Sequence, residues 1–331
     1  MLKKGCGKLT AQGSGRRDIR LRRRARYLAL TAAAVAGVLL GNAAIAPHSY
    51  AAASSQPGIT TEQSDALAYL NGVRAKLGLP SLKYNANMSK AAKLHAVYYN
   101  TNHEKTASQS AHNETKGLPG FTGVTVVDRL KASGWTPGPS GYMTGEVMHY
   151  GQTSIQGAIE GWMDTAYHRE IILSHKYQEV GVGYAEGTAV LDMAGPYHPT
   201  SIKGGIAVYP YDGMKNVGLG FYGNENPNPL SQFKVKSSGY IISATTEKEM
   251  IWHTAKIRDE KGVDVPYFEE LHSKDTLFLF PKSVLKKSHT YQVSLSYEMK
   301  GTPGKKQKVW SFTTGEASKQ ELQNADAAGV K

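Results

Sequence analysis

The sequence predicts an α+β protein: an α/β sandwich over residues 54–204, followed by an all-β sandwich over 205–315. Three observations carry this. Up to about Lys203, apolar residues recur at helical spacing with a few short strands among them. From Gly205 the period changes to two, in short runs divided by Gly, Pro, Asp and Lys, the pattern of a two-sheet β domain. At 331 residues the chain is long enough to build two cores.

Residues 1–53 stand apart from both halves. A basic segment ending in RLRRRARY precedes the apolar run Leu28–Leu40 and then small residues that include SYAAAS. That order is a secretory signal peptide, with cleavage near Ala51 or Ala53 and a short linker after it. The apolar run is about 13 residues long, against the roughly 20 needed to cross a bilayer, so no transmembrane anchor is expected after cleavage. The formal charge of +12 has the same origin, since residues 1–51 hold ten Lys/Arg and one Asp. The remaining +3 lies in residues 205–331, with seventeen basic and fourteen acidic side chains, while residues 52–204 hold twelve of each, and so small an excess argues against nucleic acid as a partner. The single cysteine, Cys6, lies ahead of the apolar run, so the mature chain has no internal disulfide and no lipidated cysteine. The expected location is extracellular or at the cell envelope.

The first helix begins at Thr60, where Thr60 and Gln63 form a capping box. Leu67, Leu70, Val73 and Leu77 make one stripe, and Gly78 with Pro80 ends it. A second helix is expected from Ser89 to about Asn100, with Leu94, Val97 and Tyr98 inward. The stretch ASQSAHNETKGLPGFTG has no regular period and reads as a long loop, a kind of segment that often carries function. A third helix runs from near Thr125 to Gly134, and a fourth from Ser154 to Asp164 with Ile155, Ile159 and Trp162 inward. EVGVGYA and TAVLDMAG then read as strands. In the second half the strands are YIISATT, TLFLFP, TYQVSLSYEM and KVWSFTTG, and residues 316–331 read as a disordered tail.

Two motifs need weighing. GLGFYG, Gly218–Gly223, matches the dinucleotide fingerprint letter for letter, but NENPNPL follows it and cannot open the helix that would receive a pyrophosphate. The glycines are turn formers. His168, in AYHRE, has two readings. It caps a helix C-terminus, where an imidazolium gains about 0.3 to 1 kcal/mol, or it projects into a cleft with Trp162 anchoring the helix behind it. On one continuous helix His175 would lie about 10.5 Å away, too far to share an ion. Partners for His168 must come from elsewhere, and the candidates are His112, Glu146, His149, Glu160 and Asp164. His95, His103 and His149 are assigned structural or surface roles.

The ordered segments LNGVRAKLGLPSLKYN, MSKAAKLHA, AHNETKGLPGFTG, DRLKASGW, GEVM, GWMDTAYHREIIL and EVGVGYA resemble the bacterial branch of the CAP superfamily. This is the group of cysteine-rich secretory proteins, antigen 5 and pathogenesis-related proteins. The resemblance covers roughly residues 60–197. It implies an α-β-α sandwich and a cleft lined by two His and two acidic residues. His112 matches the first His, Glu146 the Glu of the G-E motif, and His168 the His after the tryptophan helix. The fourth position is Thr165 here, leaving Glu160 and Asp164 as neighbours that could substitute. His112 and His168 are then the candidate ligands of a divalent metal such as zinc. In the second half, Leu279, Pro281, Leu285, Tyr291, Val293, Trp310, Phe312 and Thr314 occupy places similar to those in the last strands of bacterial immunoglobulin-like modules, and no site is expected there.

Two functions follow as expectations. The first is a secreted module that binds a peptide, lipid or glycan ligand or has a structural role. The second is a metal-dependent hydrolase with His112 and His168 as ligands and Glu146 as base or orienter. The absence of a cysteine nucleophile, of G-x-S-x-G and of a defensible Ser/His/Asp order favours the first.

Overall fold

The computed structural model describes residues 58–139 and 141–330, and the signal-peptide segment lies outside the described residues. The first half contains helix α1 (Thr61–Lys76), strand β1 (Lys83–Tyr84), helices α2 (Ala86–Asn102) and α3 (Val126–Ala132), strand β2 (Tyr142–His149), helices α4 (Ile155–Met163) and α5 (Tyr167–Ile172), and strands β3 (Glu179–Ala185) and β4 (Thr188–Pro196). The strands form one sheet in the order β1-β3-β4-β2. Thr60 and Gln63 make the expected capping box. The second helix starts three residues earlier than its apolar pattern, because the Asn85 side chain accepts the backbone N–H groups of Asn87 and Met88 and caps it there.

Strand β4 shows why the sheet has a helical layer on each face. Ala189, Leu191 and Met193 join the core that includes Leu67 and Leu70 of α1 and Ile159 and Trp162 of α4. Val190 and Ala194 point the other way, to Ala92 and Ala96 and to Met88, Ala91 and Leu130 of α2 and α3. A strand buried on both faces reads as a continuous apolar run, and TAVLDMAG is one except at Asp192. The α2 layer sits unusually close to the sheet. A Cβ on Gly181 would lie 2.2 Å from the Met88 carbonyl carbon, and one on Gly183 would lie 2.3 Å from that of Ala92. The glycines of EVGVGYA are therefore contact points between helix backbone and strand. Gly181→Ala is expected to lower stability by about 1 to 3 kcal/mol through overpacking. Urea unfolding checks this, and an unchanged midpoint would show that the helix can shift away at no cost.

The second half contains strands β5 (Ile206–Tyr209), β6 (Met214–Val217), β7 (Gly220–Phe221), β8 (Ser238–Gly239), β9 (Ile242–Thr246), β10 (Met250–Asp259), β11 (Tyr267–His272), β12 (Thr276–Pro281), β13 (Thr290–Met299) and β14 (Thr302–Thr314), then helix α6 (Lys319–Ala328). Two four-stranded sheets, β10-β13-β14-β6 and β11-β12-β9-β5, are antiparallel apart from the β14–β6 pair. Val293, Leu295, Trp310 and Phe312 of one share a core with Ile242, Ala244, Leu277 and Leu279 of the other. After Gly223 the chain runs into a 3-10 turn, Pro229–Phe233, so no helix follows the glycines of GLGFYG.

Two expectations need correction. Most of the tail expected to be disordered is helix α6. Ser318 and Glu321 form its capping box, Gly329 closes it at φ 65°, and the Glu321 carboxylate accepts the N–H groups of Leu219 (2.7 Å) and Gly220. Composition concealed it, because its anchor is one carboxylate rather than an apolar stripe. The second concerns Lys203, where the period changes but contact between the halves does not end. The buried Arg169 guanidinium donates to Met163 O and to Ile241 O (2.7 Å), and lies over the rings of Tyr209 and Tyr240 at 4.6 and 5.2 Å. Lys176 meets Asp275 at 2.7 Å, and Glu170 meets His272 at 2.6 Å.

Candidate functional site

Behind His112 lies a buried charge network on the α2 and α3 face of the sheet. Glu146 on β2 faces Asp192 on β4 across the strand pair. Its carboxylate accepts from His112 Nδ1 (2.8 Å) and from Arg129 Nη2 (2.5 Å), with His95 Nε2 at 3.7 Å. Arg129 is fully buried and also donates to His112 O, so one side chain holds both the loop and the acid. His95 lies between Glu114 (3.0 Å) and Ala111 O (3.1 Å), the structural role assigned to it. Burial pushes the Glu146 carboxyl up, but the His112 hydrogen bond and the facing Arg129 and His95 outweigh it and hold it at about 2. Burial drives Asp192 the other way, with the Glu146 carboxylate adding to it, so Asp192 stays well above the ordinary range.

His168 is positioned from the other half of the chain. Helix α4 ends at Met163, and the short α5 begins with no side-chain cap of its own. The missing cap comes from Glu225, whose carboxylate accepts the backbone N–H groups of Ala166 (2.8 Å), Tyr167 (2.9 Å) and His168 (2.9 Å), together with His168 Nδ1 at 2.7 Å. The Glu225 side chain is inaccessible to solvent. His168 therefore sits in the first turn of α5, which rules out the helix C-terminal reading, since an imidazolium there would oppose the helix dipole. It also shares no continuous helix with His175, because α5 stops at Ile172.

His112, His168, Glu160 and Asp164 all line one cavity of about 1320 Å³, together with His103 and His149, which were assigned structural or surface roles. Glu146 is not on its wall but one layer behind, through His112. The β-rich half contributes Tyr209, Tyr240 and Glu225 to the lining, and the segment after it contributes Glu321. This corrects the expectation that the second half carries no site residue. Asp164 is open to the cavity yet enclosed by protein on its other sides, and that desolvation raises its carboxyl to about 6 despite a 2.7 Å hydrogen bond from Tyr240. Trp162 is buried as an anchor, with Nε1 donating to Met148 O at 3.0 Å.

The fourth cleft position does not complete a quartet. Thr165 is buried and donates to Trp162 O, closing the end of α4. Asp164 is taken by Tyr240, and Glu160 accepts from Gln156 at 2.9 Å. Among the described residues no three His, Cys, Asp or Glu side chains come together as a group that could hold a metal ion. The candidate ligands His112 and His168 are therefore not joined by a third donor, and this donor set does not fit the candidate zinc centre raised by the family resemblance. Glu225 and Tyr240 were missed as cavity residues, while His149 was weighed as a partner of His168 and then assigned a structural or surface role. Only His149 carried a sequence signal, its position next to GEVM; an acid in ENPNP or a tyrosine in a strand carries no mark.

The model of the family described as cysteine-rich secretory protein family (CAP) matches residues 67–194. Among solved structures, the chain is 20% identical to an extracellular protein containing an SCP domain from Bacillus anthracis, over 40% of this chain and 39% of that one, with a TM-score of 0.32. A cysteine-rich secretory protein from Staphylococcus aureus is 21% identical over 39% of this chain and 37% of its own, with a TM-score of 0.28. CopC from Methylosinus trichosporium is 12% identical over 33% of this chain and 88% of its own, with a TM-score of 0.24. The chain thus spans well under half the length of the two secretory relatives. No curated protein matches it.

Proposed function

Because residues 67–194 form a CAP domain, we propose that the protein is a secreted ligand-binding module whose cleft is completed by its own β-rich half. The observation that carries this is the shared cavity, which is lined by two imidazoles that each rest on a buried carboxylate. His112 is backed through Nδ1 by Glu146, and His168 is backed through Nδ1 by Glu225. In each neutral ring Nδ1 then carries the proton, which leaves the Nε2 lone pair on the edge away from the carboxylate. A volume of about 1320 Å³ exceeds what a drug-sized ligand needs and suits a segment of peptide, lipid or glycan. The β-rich half, read as an immunoglobulin-like sandwich, acts as a wall of the site as well as a platform. Secretion is supported by the basic, apolar and small-residue order of residues 1–53. Among the described residues no helix is long and apolar enough to cross a membrane.

The hydrolase alternative gave Glu146 the role of base or orienter, and the geometry supports only the orienter, through its hydrogen bond from His112. A carboxylate held at about 2 and ion-paired with Arg129 is too weak to take a proton from water near neutrality, and it lies behind the cavity wall. The test screens the purified protein for binding of peptides, lipids and glycans while hydrolysis of the same compounds is followed in parallel. Saturable binding weakened by His168→Ala, without turnover, is the expected outcome. Turnover that disappears with the same substitution would replace this reading with an enzyme.

A further inference from the structure

We propose that the cavity selects ligands bearing a protonated amine or guanidinium group, an organic cation rich in N–H donors, over anionic ones. This rests on the ligand-binding reading above and names the chemistry of the occupant.

The walls present acceptors and an excess of negative charge. Among the described residues that line the cavity there is no Lys or Arg, whereas Glu160, Asp164, Glu225, Glu316 and Glu321 are all present. Their partners inside the protein are mostly uncharged. Glu321 accepts backbone N–H groups, Glu160 a Gln156 amide and Asp164 the Tyr240 hydroxyl. Glu225 takes three backbone N–H groups and His168, and Glu316 meets Lys287 at 3.4 Å in an exposed pair. Arg169 is the nearby cation behind the wall, and it is engaged with two backbone carbonyls and with the rings of Tyr209 and Tyr240. A concave site lined by one sign of charge and bounded by low-dielectric protein concentrates ions of the other sign.

Two further features favour an organic cation. Each cavity imidazole has its Nδ1 on a carboxylate, so in the neutral form its exposed edge offers a lone pair that an N–H donor can meet. Tyr99 and Tyr150, which also line the cavity, stack with centroids 4.4 Å apart, giving aromatic faces of the kind that hold ammonium and guanidinium groups. An anion would find neither a balancing charge nor a fixed side-chain cation there.

The test titrates the purified protein, in the presence of a chelator, with N-acetylated and C-amidated trilysine, triserine and triglutamate. Calorimetry gives the affinities, and the side-chain ¹⁵N shifts of His112 and His168 report occupancy of the cavity. Trilysine is expected to bind about tenfold more tightly than triserine at low salt, with triglutamate weakest and the advantage of trilysine shrinking as salt is raised. The combined Glu160→Gln and Asp164→Asn variant should weaken trilysine about fivefold or more and reduce its advantage over triserine. Both replacements keep the side-chain shape, and Glu160 is exposed, so an unchanged unfolding midpoint verifies the fold. Triserine or triglutamate binding as tightly as trilysine, with the histidine shifts moving, would overturn the cation preference while leaving the ligand-binding reading in place. So would trilysine affinity indifferent to the double substitution. If no peptide moves either histidine at millimolar concentration, both readings fall.

Discussion

Replacing Glu225 by alanine is expected to cost about 2 to 4 kcal/mol of stability, because it orphans the N–H groups at the start of α5 together with His168 Nδ1. The loss exceeds that of an ordinary helix cap because the carboxylate is inaccessible and Ala166 is fully buried, so water cannot take its place. Glu225→Gln should recover part of the stability, since an amide oxygen still accepts backbone N–H groups, but it supplies a neutral partner to the imidazole. Urea unfolding separates the two variants, with a midpoint that moves while the slope stays constant. The ¹⁵N shifts of His168 should move toward mixed tautomers in the alanine variant while those of His112, held by Glu146, stay fixed. A stability change below about 0.5 kcal/mol, the range of an ordinary surface substitution, would mean that the cap is not needed.

Arg129→Met is expected to be as damaging or more so, at about 3 to 5 kcal/mol near neutral pH, because it leaves Glu146 and Glu114 buried without their cation. The pH dependence gives this prediction its signature. Burial alone would raise both carboxyls, and each is nevertheless lowered, Glu146 by its His112 hydrogen bond and Arg129, and Glu114 chiefly by its hydrogen bonds from His95 and Thr122. Stability from such lowered groups is fully present above the unfolded-state value of about 4.3 and is lost as pH falls toward the folded-state value. For Glu146 that value is about 2. Asp192 has the opposite sign: its contribution is fully present below its unfolded value of about 3.9 and is lost as pH rises toward its raised folded-state value. In the variant both glutamates can take a proton instead, so the deficit against the parent should be largest at pH 7 and should shrink by pH 4. Urea midpoints at the two pH values measure it. A deficit independent of pH would assign the effect to lost packing of the arginine stem rather than to stranded charge.

The residues of the network differ in how far they could be read in advance. Glu146 and His112 stand in segments with a recognisable order, so their place near one cleft was legible, but their roles were not. Whether a carboxylate faces a cavity or supports an imidazole depends on which strand face it occupies. The register of β2 on β4 puts Glu146 opposite Asp192 on the face covered by α2 and α3. Nothing in DRLKASGW marked Arg129, which is fully buried because two acids from distant segments meet it there.

By itself the sequence determined the change of period near Lys203, the first four helices, six of the fourteen described strands, the core positions of the β-rich half and the resemblance of residues 67–194 to the CAP family. Those are local properties, written in spacings of two and of three to four residues and in caps such as Thr60 with Gln63. Tertiary structure alone decided what the site is. Glu225 reaches His168 across 57 residues of sequence, α6 is held by one carboxylate on Leu219 and Gly220, and the two halves share a cavity wall. Contacts of that kind join single polar atoms over long separations, and a polar side chain in a loop carries no periodicity to reveal the partner it will meet once the chain has closed around it.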